Sequence, residues 1–378
     1  MKLVGGRVPR SFGVEEEYLL LDVEHGRPVD SAAELTLATA DSAGELDREF
    51  FASQVETSTP VCRTAAEADA SLVGFRMSAG RAAAERGFIL SGTGLPPVGG
   101  DAAGTVTPKP RYRLIEAEMR AAGHHQYGTG THVHVEVPNR SAGVDALARL
   151  ARWAPALLAL TANSPFWCGR DTGFASWRHV MGLSWPASGY PQHIEDEADY
   201  AAAVDRLVGA GIVPDAGVLT WVARLSERYP TLELRIADAQ LTAEAAVSFA
   251  LLVRAIVERG LRDAEAGAER PGFGPGLIDG ANWIAARNGL GGELVDPGRA
   301  EAVPAFDLID RLLDSVGGEL DRSGDRDRVV AWIDGLRESG GPAEQQRRAF
   351  AAGGIGGLLD LFRDGSLPQR VDPVAAGG

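Results

Sequence analysis

The sequence predicts an α+β chain: strands with one polar face, helices interspersed among them, and a helical C-terminal part. Three observations carry that expectation. Segments 12–22, 130–137 and 230–238 alternate apolar with polar residues at a period of two, the pattern of half-buried strands. Segments 64–86, 144–163 and 244–261 are rich in apolar residues at lengths and spacings that suit helices. No internal repeat or long linker divides the chain, so residues 1–262 are expected to form its main body. Residues 263–378 continue it as a helical part of the same domain, with a flexible tail after 368.

Bulk composition narrows the function classes. At 378 residues, 45% hydrophobic and 24% charged, the chain can bury a core without a disulfide or structural metal. A net charge of −15 argues against binding nucleic acid or an anionic membrane surface. Cys62 and Cys168 lie far apart, suit a reducing compartment and read as small buried residues. Met1–Arg10 lacks the apolar stretch of a secretory signal, and no run reaches the roughly 18 apolar residues of a membrane span. A cytoplasmic location is expected.

Taken in order, Ser11–Asp22 is the first strand. Phe12, Val14, Glu16, Tyr18 and Leu20 share one face, and Glu15 and Glu17 share the other with Gly13, Leu19 and Leu21. Three adjacent carboxylates repel one another, and burial raises their pKa, so they need positive partners or an exposed edge. Segment 48–60 reads as a second strand ended by Pro60; a bend near Ala52-Ser53 would bring Glu49 and Glu56 to one face. Thr64 with Glu67 makes a capping box for a helix over 64–86. Gly92-Thr93-Gly94 superficially suggests a dinucleotide fingerprint, but Pro96-Pro97 follows where a helix should open, and no Walker A pattern occurs. After a helix over 111–122, the strand Gly130–Val137 sends its valines one way and His132, His134 and Glu136 the other. A long helix over 144–163 is expected to kink at Pro155. The loop 163–178 is dense in aromatics and arginines, a composition that suits binding. A helix over 197–209, a strand over 215–224 and a strand over 230–238 follow. In the last, Leu232, Leu234 and Ile236 oppose Glu233, Arg235 and Ala237. Helices are expected at 244–261, 282–289, 305–316 and 325–337, with a mobile loop between 263 and 276.

Several strands therefore present acid or imidazole on one face: Glu15 and Glu17, Glu49 or Glu56, His132 and Glu233, with Arg178 and Arg235 among them. One account is a salt-bridge ladder on a solvated sheet. The other is an oxygen-rich site for Mg²⁺ or Mn²⁺, with the arginines pairing bidentately to phosphate or carboxylate. Zn²⁺ fits less well, because there is no HExxH and no Cys/His cluster.

Five motifs in order, Gly13-Val-Glu-Glu-Glu17, Ser53-Gln-Val-Glu-Thr-Ser-Thr-Pro-Val-Cys62, Gly130-Thr-His-Val-His134, Asn163-Ser-Pro-Phe-Trp167 with Gly169–Ser176, and Thr231–Asp238, resemble the carboxylate–amine ligase family similar to glutamate–cysteine ligase type 2. The resemblance spans about Phe12 to Leu261. It implies a glutamine-synthetase-like fold, a curved antiparallel sheet with helices packed outside, and a ligase-like catalytic core in 1–262. It also implies ATP-dependent amide formation through an acyl phosphate, with glutamate's γ-carboxylate as the acid and weak glutamate–cysteine ligation included. Carried over, the metal ligands are Glu15, Glu17, Glu49, Glu56, His132 and Glu233, while Arg178 and Arg235 hold phosphate or the substrate carboxylate and serve catalysis. Cofactors are ATP and Mg²⁺ (or Mn²⁺), partners are small amino acids and amines, and a homodimer is expected. Two departures bear on the acceptor: Gly92-Thr-Gly-Leu lacks the His of the family's Gly-Thr-His-Pro loop, and Glu136 replaces a common Gly. Rival readings are a guanidino-type kinase of the same fold group and a non-catalytic sensor retaining the fold.

Overall fold

A computed structural model describes residues 8–39, 46–191, 194–274 and 276–367. The tail expected after 368 lies outside them.

The strands are β1 (Phe12–Asp22), β2 (Leu46–Arg48), β3 (Gln54–Ser58), β4 (Phe88–Ser91), β5 (Gly130–Glu136), β6 (Phe166–Trp167), β7 (Arg170–Asp171), β8 (Ala223–Leu225), β9 (Thr231–Asp238), β10 (Glu293–Asp296) and β11 (Glu301–Pro304). The helices are α1 (Ala32–Ala38), α2 (Ala65–Ala84), α3 (Pro110–Met119), α4 (Arg140–Leu150), α5 (Ala154–Thr161), α6 (Trp177–Gly182), α7 (Glu197–Gly209), α8 (Ala243–Glu265), α9 (Leu277–Asn288), α10 (Ala305–Ser323), α11 (Arg326–Ser339) and α12 (Pro342–Ser366).

The main sheet runs β2-β3-β1-β5-β9-β8, with β4 pairing the second half of β1. Every pairing in it is antiparallel. The charged strand β1 is thus central, and the exposed-edge alternative does not hold. One face carries Phe12, Val14, Val133, Val135, Leu232 and Leu234, all buried against apolar residues of α4, α5 and α8. The opposite face is left for polar side chains.

Period two divides the three glutamates of β1. Glu16, 1% exposed, points among Tyr18, Phe75 and Arg76. The Arg76 guanidinium grips it with Nη2 at 2.6 Å and Nε at 3.1 Å, and the Tyr18 hydroxyl also donates to it. The remaining Arg76 donors reach the carbonyls of Gln240, Leu241 and Gly365. One fork therefore ties α2, β1, the exit of β9 and the end of α12 together.

Several elements differ from expectation. Segment 48–60 is a hairpin rather than one strand: the amide of Gln54 donates to Phe51 O, and the Gln54 side chain accepts from the Phe51 amide. The turn achieves what a bend would, since Asp47 pairs with Glu56 and Glu49 N bonds Gln54 O. The helix expected over 144–163 breaks at the 3₁₀ turn Ala151–Trp153, and Pro155 sits in the first turn of α5, where its missing N–H is harmless. Segment 215–224 is mostly a 3₁₀ turn and loop before the short β8. Helix α8 runs on to Glu265, through the first residues of the expected loop. Cys62 is buried as expected, but Cys168 is not: with φ of 52° beside Gly169 at 76°, it forms the two-residue turn of the β6–β7 hairpin. The helix α12 falls within the expected helical C-terminal part, without having been placed individually, and the β10–β11 hairpin was not expected.

The Arg76–Glu16 pair gives a stability test. Arg76→Met should destabilise the protein by about 3–5 kcal/mol, because it strands a buried carboxylate. The double variant Arg76→Met/Glu16→Leu should recover most of that loss in urea unfolding. Equal losses in the single and double variants would show that the charge pair is not the cause.

Candidate active site

The polar sheet face gathers the predicted residues. Glu15 on β1 lies opposite His132 on β5, and Glu17 opposite Glu56 on β3. Glu233 on β9 lies opposite His134. Between Thr131 and Val133 the β5–β9 register shifts by one, so Arg235 and Ile236 together oppose His132. Strict alternation on β9 therefore ends at Arg235, and Ala237 comes to oppose Thr131, whereas the sequence placed it with Glu233 and Arg235.

Glu15 sits between two imidazoles. His132 Nδ1 is 3.3 Å from its Oε2, and His134 Nε2 is 3.2 Å from its Oε1. The second contact is at ion-pair distance without the alignment of a hydrogen bond, so the His134 nitrogen stays unsatisfied. Burial alone would raise Glu15, but the His132 hydrogen bond and the charges of His132 and His134 outweigh it and hold the carboxyl well below its usual range. Glu17 accepts from the Gly130 amide at 2.6 Å and faces His132 Nε2 at 3.7 Å. Glu233 is gripped by Arg224 Nε at 2.7 Å and by Arg235 Nη1. Despite burial, the Arg235 and Arg224 charges hold it well below the usual carboxylate range. His132 is held below its ordinary value by burial and then by Arg235, which keeps it neutral, the form that ligates metal.

Glu49 and Glu56 behave in the opposite way. Burial and then the Glu17 charge push Glu49 up to about 7. Burial and then the Glu49 charge raise Glu56 well above its ordinary value. Among the described residues, the side chain of Glu49 accepts from the Tyr112 hydroxyl, at 2.7 Å. Among the described residues, no arginine or lysine reaches salt-bridge distance of Glu15, Glu17, Glu49 or Glu56. Acidic oxygens in excess of local cations are the donor chemistry of a hard divalent ion. Two overlapping groups, Glu15–Glu56–His132 and Glu15–His134–Glu233, each offer ligand atoms within 4.8 Å of one another.

Arg178 reaches this face from the loop expected to bind. Ser176 caps α6, and Asn163, Ser164 and Ser176 all anchor to the buried Asp238: Oδ2 accepts from Asn163 N and Ser164 Oγ, both at 2.7 Å, and Oδ1 from Ser176 Oγ at 2.9 Å. Arg178 then lies across the end of β5, its guanidinium 3.4 Å from the carbonyls of Arg235 and Ile236. A Cβ at Gly130 would stand 2.3 Å from Arg178 Nη2, so only glycine admits this crossing. Gly94 is constrained in the same way by Asp238, at 2.7 Å, so the Gly92–Leu95 loop packs closely against the end of β9.

A cavity of about 340 Å³ opens over the sheet and brings together Glu17, Glu49, His132, Arg178 and Arg235; Glu15, Glu56 and Glu233 flank it through the contacts above. A larger cavity of about 400 Å³, between α4 and residues 270–278, has no cluster of reactive groups, and its Arg270 is bound to the carbonyls of Ile194 and Glu195. Sequence reasoning missed His134, although its place two residues after His132 on the same face was the available signal. It also missed Arg224 and Tyr112, whose partners depend on tertiary pairing. Glu136, third in the polar row, turns away to the Ser11 amide and hydroxyl.

Comparison with known proteins gives the family and the fold. The profile of Glutamate-cysteine ligase family 2 (GCS2) matches residues 11–362. A Frankia alni protein with the provisional name glutamate–cysteine ligase 2-2 is 40% identical over 373 residues, covering 93% of this chain and 96% of its own. A Saccharopolyspora erythraea protein, provisionally glutamate–cysteine ligase 2-1, is 41% identical over 340 residues, covering 90% of each. Among solved structures, glutamate–cysteine ligase from Francisella tularensis in complex with AMP superposes with a TM-score of 0.65 at 13% identity, over 98% of this chain and 91% of that one. A bifunctional glutathione synthetase from Pasteurella multocida gives 0.64 at 15%, over 95% and 53%. These two likenesses bear on the fold, and they bear out the antiparallel sheet with packed helices. On the family profile and these relatives, the chain belongs to glutamate–cysteine ligase family 2.

Proposed function

We propose that the protein is an ATP-dependent carboxylate–amine ligase acting on the γ-carboxylate of glutamate. The observation that carries the reading is the joining, in one cavity, of an under-neutralised carboxylate cluster with two arginines, Arg178 and Arg235, in a chain of this family. The γ-carboxylate oxygen attacks the γ-phosphorus of ATP, the bond to the bridging oxygen breaks, and ADP leaves. The amine nitrogen then attacks the acyl carbon, the C–N bond forms as the C–O bond to phosphate breaks, and the amine loses a proton.

Glu15, Glu17, Glu49, Glu56, His132 and Glu233 are the proposed ligands of Mg²⁺ or Mn²⁺, with His134 added by its place beside Glu15 and Glu233. The bound cations would supply charge neutralisation and alignment of the triphosphate. Neutral His132 and ionised Glu15 are in the protonation states ligation requires. Arg235 and Arg178 supply guanidinium donors for phosphoryl oxygens or the glutamate carboxylate. Strands hold most of these groups, with Arg178 on α6 and Glu49 at the turn after β2, so catalysis rests on positioning and charge stabilisation, with no protein nucleophile. Small amino acids and amines are the substrates in this reading. Among the described residues no helix is long and apolar enough to cross a membrane.

Phosphate release from ATP and Mg²⁺ should require glutamate together with an amine, and a product phosphorylated on the acceptor nitrogen would instead favour a kinase. Glu15→Gln should lower turnover roughly 10²–10³-fold, the scale of losing one preorganised charge-stabilising group, with the fold retained by circular dichroism. Near-normal activity in that variant would remove Glu15 from the ligand set.

The raised carboxyls also set a pH dependence. Glu49 binds its proton more tightly folded than at its ordinary value of 4.5, so the cation-free protein should lose stability as pH rises from about 4.5 through about 7. A cation displaces that proton, so saturating Mg²⁺ should raise the melting temperature more at pH 8 than at pH 5.5. Equal shifts at both pH values would count against Glu49 and Glu56 as ligands.

A further inference from the structure

The cavity has a second wall, facing the carboxylates, that differs from them in kind. Phe50, Ile115, Met181, Leu183, Trp185 and Leu219 line it. Its polar side chains are turned into bonds of their own. Gln126 donates to Ala122 O and Ser184 Oγ and accepts from the Trp185 indole N–H at 2.9 Å. The Thr220 hydroxyl donates to Pro186 O, and that of Ser188 to Leu183 O. Arg111 is held bidentately by Asp215, at 2.8 and 3.0 Å.

One group on this wall is different. His179, in the first turn of α6 and 6% exposed, lines the cavity, yet its imidazole has no hydrogen-bond partner among the described residues. Burial, and then the neighbouring Arg178 charge, push it down to about 4. A neutral imidazole offers a lone pair to a donor and no charge to an anion. Facing the cavity without a protein partner, the imidazole is open to a ligand that supplies one N–H.

We propose that this wall is the acceptor subsite, and that it takes a primary amine bearing an apolar substituent and no carboxylate. The amine nitrogen donates to His179, and the substituent lies on Trp185, Met181 and Leu183. An amino-acid acceptor such as cysteine would need a cation for its carboxylate. Arg111 is already paired, and Arg178 and Arg235 belong to the phosphate and glutamate in the reading above, on which this proposal rests. Adenine fits the wall less well than an alkyl group, because its polar edge would meet side chains already bonded elsewhere apart from His179.

The test uses the full chain with ATP, Mg²⁺ and glutamate. Glutamyl hydroxamate formation with hydroxylamine first reads activation of the acid. Across ethylamine, propylamine and butylamine, kcat/KM should then rise about fourfold per methylene, the factor expected from burying one CH₂. Butylamine and benzylamine should both exceed cysteine. A flat series, or cysteine as the best acceptor, with hydroxamate still forming, overturns the acceptor assignment alone. No hydroxamate overturns the ligase reading and this proposal with it. Trp185→Ala should raise the KM for butylamine about tenfold; a rise in the KM for ATP in its place would put adenine on the wall and overturn the proposal. His179→Leu should lower kcat/KM for butylamine about tenfold, and His179→Asn, which restores an acceptor oxygen, should recover part of it. An unchanged His179→Leu enzyme would exclude the hydrogen bond. The amine series on the unmodified protein decides even if either variant fails to fold.

Discussion

Three consecutive carboxylates can occupy the middle of a sheet only if the chain disposes of the one that faces the core, and the Arg76–Glu16 pair does that. Glu16 is 1% exposed and meets a guanidinium fork that also bonds the carbonyls of Gln240, Leu241 and Gly365. Every Arg76 nitrogen is thereby used, which is the condition for a buried ion pair to be tolerable. The pair also fixes register. A slip of one residue along β1 would bury Glu15 and Glu17 among apolar side chains and leave Glu16 on the polar face, so electrostatics and hydrophobic alternation select the same pairing.

Once register is set, the polar face divides into regions of opposite character. Around β5 and β9 the carboxylates are well served: Glu233 by Arg224 and Arg235, Glu15 by His132 and His134. Around the β2–β3 hairpin they are not: burial and the Glu17 charge raise Glu49, and burial and the Glu49 charge raise Glu56. The arginine side is fixed from far along the chain. Asp238, at the end of β9, holds Asn163, Ser164 and Ser176, and Gln346 of α12 donates to Asn163 Oδ1 and Thr93 Oγ1. Arg178 is therefore positioned by segments of β9, the 163–178 loop and the C-terminal helices together, a supporting shell on rigid elements.

Much of this was legible in the residues. The alternation of β1, β5 and β9 placed Glu15, Glu17, His132, Glu233 and Arg235 on one face, because period two is a property of the strand backbone itself. The α2 capping box formed as read, since its bonds span three residues. What failed was decided by tertiary contact. Phe50-Phe51 reads as strand, but both rings pack against Tyr112 and Tyr127 around a turn. The β9 irregularity beside His132 has no local signal, because it is a property of two strands. Helix α12 is glycine-rich and non-helical in φ/ψ at Gly354, and burial of Leu358, Leu359 and Phe362 against β4 and its neighbours stabilises it more than propensity can.

The uneven site has a physical consequence for how a ligand can be recognised. A face fully neutralised by its own arginines would be stable empty and indifferent to cations. The Glu49–Glu56 region instead carries repulsion that only protons or cations relieve, so part of the folding free energy is withheld until something positive arrives. The hairpin that bears it is anchored from outside, by Lys109 on Asp47 and Arg48 O and by Tyr112 on Glu49, and Arg235 acts on Glu49 and Glu56 only at a distance. The wall across the cavity works by the converse rule: among the described residues Gln126, Trp185, Thr220, Ser188 and Arg111 are bonded elsewhere, and the His179 imidazole is not. One side is short of positive charge and the other is short of a single donor. A cation-bound phosphate on the first and an amine N–H on the second would answer both deficits, and would bring the two reactants into one cavity.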